Sequence, residues 1–116
     1  MSKKSSDEIP RLSPNFKLWL EHDGEYVFGP GAYALLQSIH ATGSITQAAK
    51  DLGMSYRYAW GVIRKIETTL STKLIESYKG GKQGGGGAIV TEYGLSLMEL
   101  YSQVNRNFSK FISSMD

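Results

Sequence analysis

The 116-residue chain contains no cysteine, so disulfides, thiolate metal sites and cysteine nucleophiles are all excluded and the core must hold without covalent staples. Long hydrophobic runs are missing as well. The apolar stretches extend over only a few residues, and the first fifteen, MSKKSSDEIPRLSPN, have no hydrophobic centre. That argues against a transmembrane span and a secretory signal and makes the cytoplasm the expected location, with no membrane partner. Reactive groupings are also lacking: HExxH and GxSxG do not occur, and His22 and His40 stand apart. No catalytic centre, metal site or cofactor is therefore expected. The glycine-rich stretch near residue 80 fails as a nucleotide-binding P-loop, because GxxxxGK[ST] would need glycine where Glu76 stands and Ser or Thr where Gln83 stands.

What is present suffices for one small domain: 41% hydrophobic and 21% charged residues fit a folded chain rather than a disordered one. The net charge of +2 hides an uneven distribution. Residues 55–87 carry Arg57, Arg64, Lys65, Lys73, Lys79 and Lys82 against only Glu67 and Glu76, while each flanking segment has one more acid than base. A local basic excess suits a surface that faces a polyanion, although a solvated face carries the same bias.

Residues 1–15 are polar and aperiodic and read as a mobile tail. Phe16, Leu18 and Leu20 then alternate with Lys17, Trp19 and Glu21, and the turn pair Asp23-Gly24 leads into Tyr26-Val27-Phe28, which predicts a short β-hairpin. Pro30 opens a helix patterned by Tyr33, Leu35, Leu36, Ile39 and His40 that stops at Thr42-Gly43. Ser44 with Gln47 three residues on has the form of a capping box, starting a very short helix over 46–52 that Gly53 ends. Ser55 caps the next helix, over 56–70, in which Ala59, Val62, Ile63, Ile66 and Leu70 make one buried stripe. Short β-prone pieces, 73–78 and 88–90, flank a tip holding six of the thirteen glycines. Thr91 caps a last helix of about 25 residues whose Leu97, Tyr101, Val104, Phe108, Phe111 and Met115 recur at spacings of four and three, a seam that calls for a partner helix.

Three helices, the middle one short, followed by a glycine-tipped hairpin describe a winged helix-turn-helix. The expected fold class is mainly α with small β-hairpins and a long C-terminal dimerisation helix. Ala49 and Gly53 supply the small residue and the glycine that a tight helix-helix turn needs, and Ala48, Leu52, Met54, Ala59 and Val62 supply the apolar clamp. With Ala59 facing the core, Arg57, Gly61 and Arg64 fall on the opposite side of the third helix and Trp60 on the border. Arg57 is the candidate base reader, since an arginine there can bond a guanine edge bidentately, and Gly61 lets the helix sit deep in a major groove. Arg64, Lys65 and Lys73 suit phosphate contacts or solvated charges. Tyr56 and Tyr58 suit phosphate or thymine-methyl contacts as well as they suit amphipathic packing. Ser55 completes the recognition set, with Ser44, Thr46 and Gln47 supporting it from the preceding helix. In the wing, Lys79, Gly80, Gly81, Lys82 and Gln83 offer bare backbone and two cations to a phosphate backbone or minor groove.

These residues resemble the DNA-binding domain of ModE-type molybdate-responsive transcription regulators and, more distantly, the LysR-type winged helix-turn-helix. The likeness runs from Lys17-Leu18-Trp19-Leu20 and Gly29-Pro30-Gly31 through Gly43-Ser44-Ile45-Thr46-Gln47-Ala48-Ala49-Lys50 and Met54-Ser55-Tyr56-Arg57-Tyr58-Ala59-Trp60. It continues over Gly80-Gly81-Lys82, the residues 84–88, Thr91 and Gly94 into the last helix. The LysR-like arginine expected near Ser77 is absent. The resemblance implies a homodimer joined through its terminal helices and a pseudo-palindromic double-stranded DNA operator. Full-length regulators of this type continue into a molybdate-binding region, whereas this sequence stops at Asp116, so no small-molecule effector is expected within the chain. The expected organisation is a tail over 1–15, a DNA-binding unit over 16–90 and a dimerisation helix over 91–116. Two other functions use the same fold: a non-specific architectural DNA-binding protein, and a winged-helix module whose basic segment meets an acidic protein.

Overall fold

The computed structural model describes residues 10–79 and 87–115. Along the chain run β1 (Leu20–His22), β2 (Glu25–Phe28), α1 (Pro30–Thr42), α2 (Ile45–Asp51), α3 (Tyr56–Leu70), β3 (Ile75–Tyr78), β4 (Gly87–Val90) and α4 (Glu92–Ser113). Local chemistry sets most of these limits. Pro30 opens α1 and Gly43, at φ 72°, closes it by donating its N–H to the Ile39 carbonyl, the left-handed stop that glycine provides without steric cost. Ser55 Oγ and Thr91 Oγ1 accept the N–H groups of Tyr58 and Gly94, each at 3.0 Å, and so cap α3 and α4.

The expected capping box on α2 forms only by half. Ser44 Oγ accepts the Gln47 N–H at 3.0 Å, but the Gln47 amide turns forward to Asp51 Oδ1 at 2.7 Å, and the Ser44 N–H is taken by Thr42 Oγ1 instead. The α2–α3 turn closes through the Met54 N–H to the Ala49 carbonyl, with Gly53 at φ 71°. Ala48, Ala49 and Ala59 are buried where the two helices meet, and Met54 and Val62 pack half-buried beside them. Leu52 is not part of that clamp: it is the C-cap residue of α2 and lies exposed.

The first hairpin is shorter than the alternation of residues 16–20 implies. β1 pairs antiparallel with β2, with a register shift between Leu20 and Glu21, and residues 16–19 form no strand. They run along α4 instead: the Phe16 ring packs on Phe108 with centroids 5.8 Å apart, and the Leu18 carbonyl accepts the Tyr101 hydroxyl at 3.0 Å. An arm laid against a helix buries alternate residues just as a strand does, so Phe16 and Leu18 are half-buried while Lys17 and Trp19 are exposed.

Phe28, Leu35, Leu36, Ile39, Ile63, Leu74 and Ile75 are the largest fully buried side chains, so the core lies between α1, α3 and the base of the second hairpin. That hairpin, β3 with β4, is docked on the end of α1 by the Ala88 N–H, which bonds the Gly43 carbonyl. It is closed at its base by Thr91, whose N–H bonds the Leu74 carbonyl and whose Oγ1 donates to the Lys73 carbonyl at 2.7 Å. Gly94 lets α4 approach it closely, since a Cβ there would lie 2.9 Å from the Leu74 carbonyl oxygen.

The terminal seam divides. Tyr101 is buried in its own chain, stacked on Tyr33 at 5.0 Å and edge-on to Phe28 at 5.6 Å, and Leu97 packs half-buried against the same core. These two side chains are spent on the fold of one chain and are not on the open part of the seam. Beyond them Val104 is half-buried, while Phe108, Phe111 and Met115 are 48%, 60% and 60% exposed, an apolar stripe that Phe16 covers in part at Phe108. No helix among the described residues is long and apolar enough to cross a membrane.

Candidate nucleic-acid interface

α3 presents two chemically opposite faces. Ala59, Ile63 and Ile66 are buried, whereas Ser55, Tyr56, Arg57, Tyr58, Gly61, Arg64 and Lys65 are all exposed. Burying the apolar stripe against α1 and α2 therefore turns three of the six cations of residues 55–87 outward along one helix. Nothing contacts a Cβ built at Gly61 within 4 Å, so that position is an open notch in the surface of the helix. Among the described residues Arg57, Lys65 and Lys73 enter no salt bridge, which leaves their charge available to a ligand.

Trp60 sits on the border, half-buried. Its indole carries the Arg64 guanidinium, whose central carbon is 5.1 Å from the ring centroid, and Tyr56 meets it edge-on at 6.5 Å. Spacing alone put Trp60 at the edge of the core; this stack along residues 56, 60 and 64 is an i, i+4, i+8 pattern present in the sequence but masked there by the aliphatic stripe.

Two grooves flank α3 on the wing side. One, of about 500 Å³, joins Ser44 and Thr46 at the start of α2, Tyr56 and Trp60 on α3, and Tyr78 and Lys79 at the end of β3. Residues expected as recognition, support and wing contacts thus converge on one surface. Tyr78, 56% exposed, joins this set although the sequence singled out only its strand. Gln47 is exposed but committed to Asp51. Lys73 lies on the second groove, with Arg64. The wing tip residues Gly80, Gly81, Lys82 and Gln83 lie outside the described residues.

Glu67 escaped the sequence reading and is essential to the local geometry. Its Oε2 accepts the N–H groups of Leu74 at 2.8 Å and Ile75 at 3.2 Å, tying the end of α3 to the start of β3. One of the two acids in the basic segment is thereby used within the fold, and its charge is partly answered by two backbone dipoles. Among the described residues no cluster of three His, Cys, Asp or Glu side chains could hold a metal ion.

A short helix and a longer exposed basic helix joined by a tight turn, with a hairpin docked beside them, define the winged helix-turn-helix class. Residues 31–95 match the family described as bacterial regulatory helix-turn-helix protein, lysR family, and the chain belongs to that family. It is 46% identical over 72 residues to the DNA-binding transcriptional dual regulator ModE of Escherichia coli K12, which covers 62% of this chain and 27% of that protein. It is 36% identical over 112 residues to the molybdenum transport protein ModE of Herbaspirillum seropedicae, covering 97% of this chain and 39% of that one. The similarity to ModE-type regulators read from the residues therefore extends along almost the whole sequence. The chain spans well under half the length of these relatives. ArgP from Mycobacterium tuberculosis shares the fold, with a TM-score of 0.54 at 20% identity over 74% of this chain and 30% of that one.

Proposed function

We propose that this chain is a sequence-specific DNA-binding transcription regulator of the ModE type, acting as a homodimer in the cytoplasm. The observation that carries the reading is the α3 surface: Arg57, Gly61, Arg64 and Lys65 are exposed on the side away from the buried stripe, and Tyr56 and Trp60 of the same helix share one groove with Ser44, Thr46 and Lys79. A helix with that distribution enters a major groove with its N-terminal turn toward the base edges. Arg57, in that first turn, reads a guanine through two hydrogen bonds; Lys65 and Lys79 neutralise phosphates. Binding and release need no chemical step, so the reading assigns no catalytic residue. The open stripe of Val104, Phe108, Phe111 and Met115 meets its equivalent in a second copy, which presents two α3 helices to a two-fold-related site. The ModE names of the similar proteins support the same class.

The test is base discrimination by Arg57→Ala. The variant is expected to lose about 1 to 3 kcal/mol of discrimination at one base-pair position per half-site while keeping the preference elsewhere. An unchanged preference at every position would remove Arg57 from the reading role.

A further inference from the structure

The second groove beside α3 has a different composition from the first. It is a cleft of about 420 Å³ between the C-terminal half of α3 and β3, with Arg64 and Lys73 on its walls and the hydroxyl-bearing Thr68, Ser71 and Ser77 around them. Two features prepare it for an anion. The single acid that lines it, Glu67, directs Oε2 to the Leu74 and Ile75 N–H groups, and the carbonyls that end α3 are largely answered from within. The Glu67 carbonyl takes the Thr72 N–H, the Thr68 carbonyl the Ser71 N–H, and the Leu70 carbonyl the Thr72 hydroxyl, which blunts the negative end of the helix. Trp60 then fixes Arg64 at the mouth of the cleft, since a guanidinium stacked on an indole keeps its N–H edges free for a ligand.

We propose that this cleft is a clamp for one DNA backbone phosphate, gripped jointly by Arg64 and Lys73, with Trp60 as the residue that positions Arg64. The inference rests on the DNA-binding reading and adds to it a stoichiometry: two cations, one phosphate. Each neutralised phosphate contributes about 0.9 to the slope of log K against log salt concentration. In the proposed homodimer the clamp occurs twice, so two cations on two phosphates give a combined contribution of about 3.6 per complex, and two on the same phosphate about 1.8.

The experiment measures that slope by fluorescence anisotropy for the full chain and for Arg64→Ala, Lys73→Ala and the double variant. The duplex is one enriched from a random pool by the unaltered protein. Each single change, present in both protomers, is expected to lower the slope by less than about 1.8 and the double change by about 1.8 in all. Replacing backbone phosphates one at a time by neutral methylphosphonate should then show one position per half-site that weakens the unaltered protein and leaves the double variant unaffected. Trp60→Leu should reproduce the Arg64→Ala slope, and Trp60→Phe should restore it; a purely structural role would lower the active fraction and leave the slope alone. A drop of about 3.6, an unchanged slope, or a shifted base preference in Arg64→Ala would each overturn the clamp. Failure of the unaltered protein to bind duplex at all would instead overturn the DNA-binding reading beneath it.

Discussion

Glu67 shows how a single side chain can organise a binding surface without touching its ligand. Its carboxylate is the acceptor for two consecutive backbone N–H groups at the entry to β3, and these donors lie beside fully buried Leu74 and Ile75. Glu67→Ala leaves both without their acceptor and is expected to cost about 1 to 3 kcal/mol, read as a lower urea midpoint at unchanged m-value. Tyr101 plays a comparable role on the other side of the core. Burial raises its hydroxyl above the ordinary 10.0, and Tyr26 and Tyr33 push in the same direction. The folded state thus holds this proton where the unfolded chain gives it up, so the stability from this residue is complete below pH 10.0 and falls as pH rises from there toward the raised value. Tyr101→Phe should lower stability by about 1 kcal/mol at neutral pH through loss of the bond to the Leu18 carbonyl. It should also flatten the alkaline part of the stability profile, which thermal melts between pH 8 and 11 would record.

At the scale of elements, what was legible in the sequence was whatever depends on neighbours a few residues away. Ser55 and Thr91 as caps, Gly43 and Gly53 as stops, and the buried stripe of α3 follow from local hydrogen bonding and helical spacing, and α3 spans Tyr56–Leu70 as expected. What escaped depends on contacts distant along the chain or on competition between partners. Residues 16–19 look like a strand until α4, more than eighty residues on, is present to receive them. Gln47 has the right spacing for a box, but Asp51 is the stronger partner for its amide. The candidate site divides in the same way: the exposure of Arg57, Gly61, Arg64 and Lys65 was readable from one helix, whereas the convergence of Ser44, Tyr56 and Lys79 needed three elements in place. Because the Ser55 cap fixes where α3 begins, and so the register of its exposed face, Ser55→Ala is expected to destabilise the protein by about 1 kcal/mol. Amide hydrogen exchange should show the loss concentrated in the first turn of α3.

On the scale of the whole molecule the shape is too extended for a self-contained domain. The radius of gyration is 19.0 Å and the longest dimension 73 Å, where a compact domain of this length has a radius of about 13 Å. One projecting element is α4, which leaves the core after Tyr101 and carries twelve more residues, about 18 Å, to its end at Ser113. Phe108 and Phe111 line that projecting part and Met115 follows in the turn beyond it, and a stripe of exposed aromatic and thioether side chains is costly in water. In the proposed homodimer, pairing two copies along it would bury the stripe and set the distance between the two α3 helices. Phe108→Asp should yield monomers by sedimentation equilibrium, with operator affinity falling at least tenfold while the helical signal is kept. A variant that stays dimeric would place the interface elsewhere.

The most direct measurement is fluorescence anisotropy of duplex binding near physiological salt, comparing DNA enriched from a random pool with mixed-sequence DNA of the same length. A preference of about 10³ or more for the enriched duplex is expected. Equal affinity for both would contradict sequence-specific recognition and make this an architectural DNA-binding protein, and absence of duplex binding would leave the basic face of α3 to a protein partner.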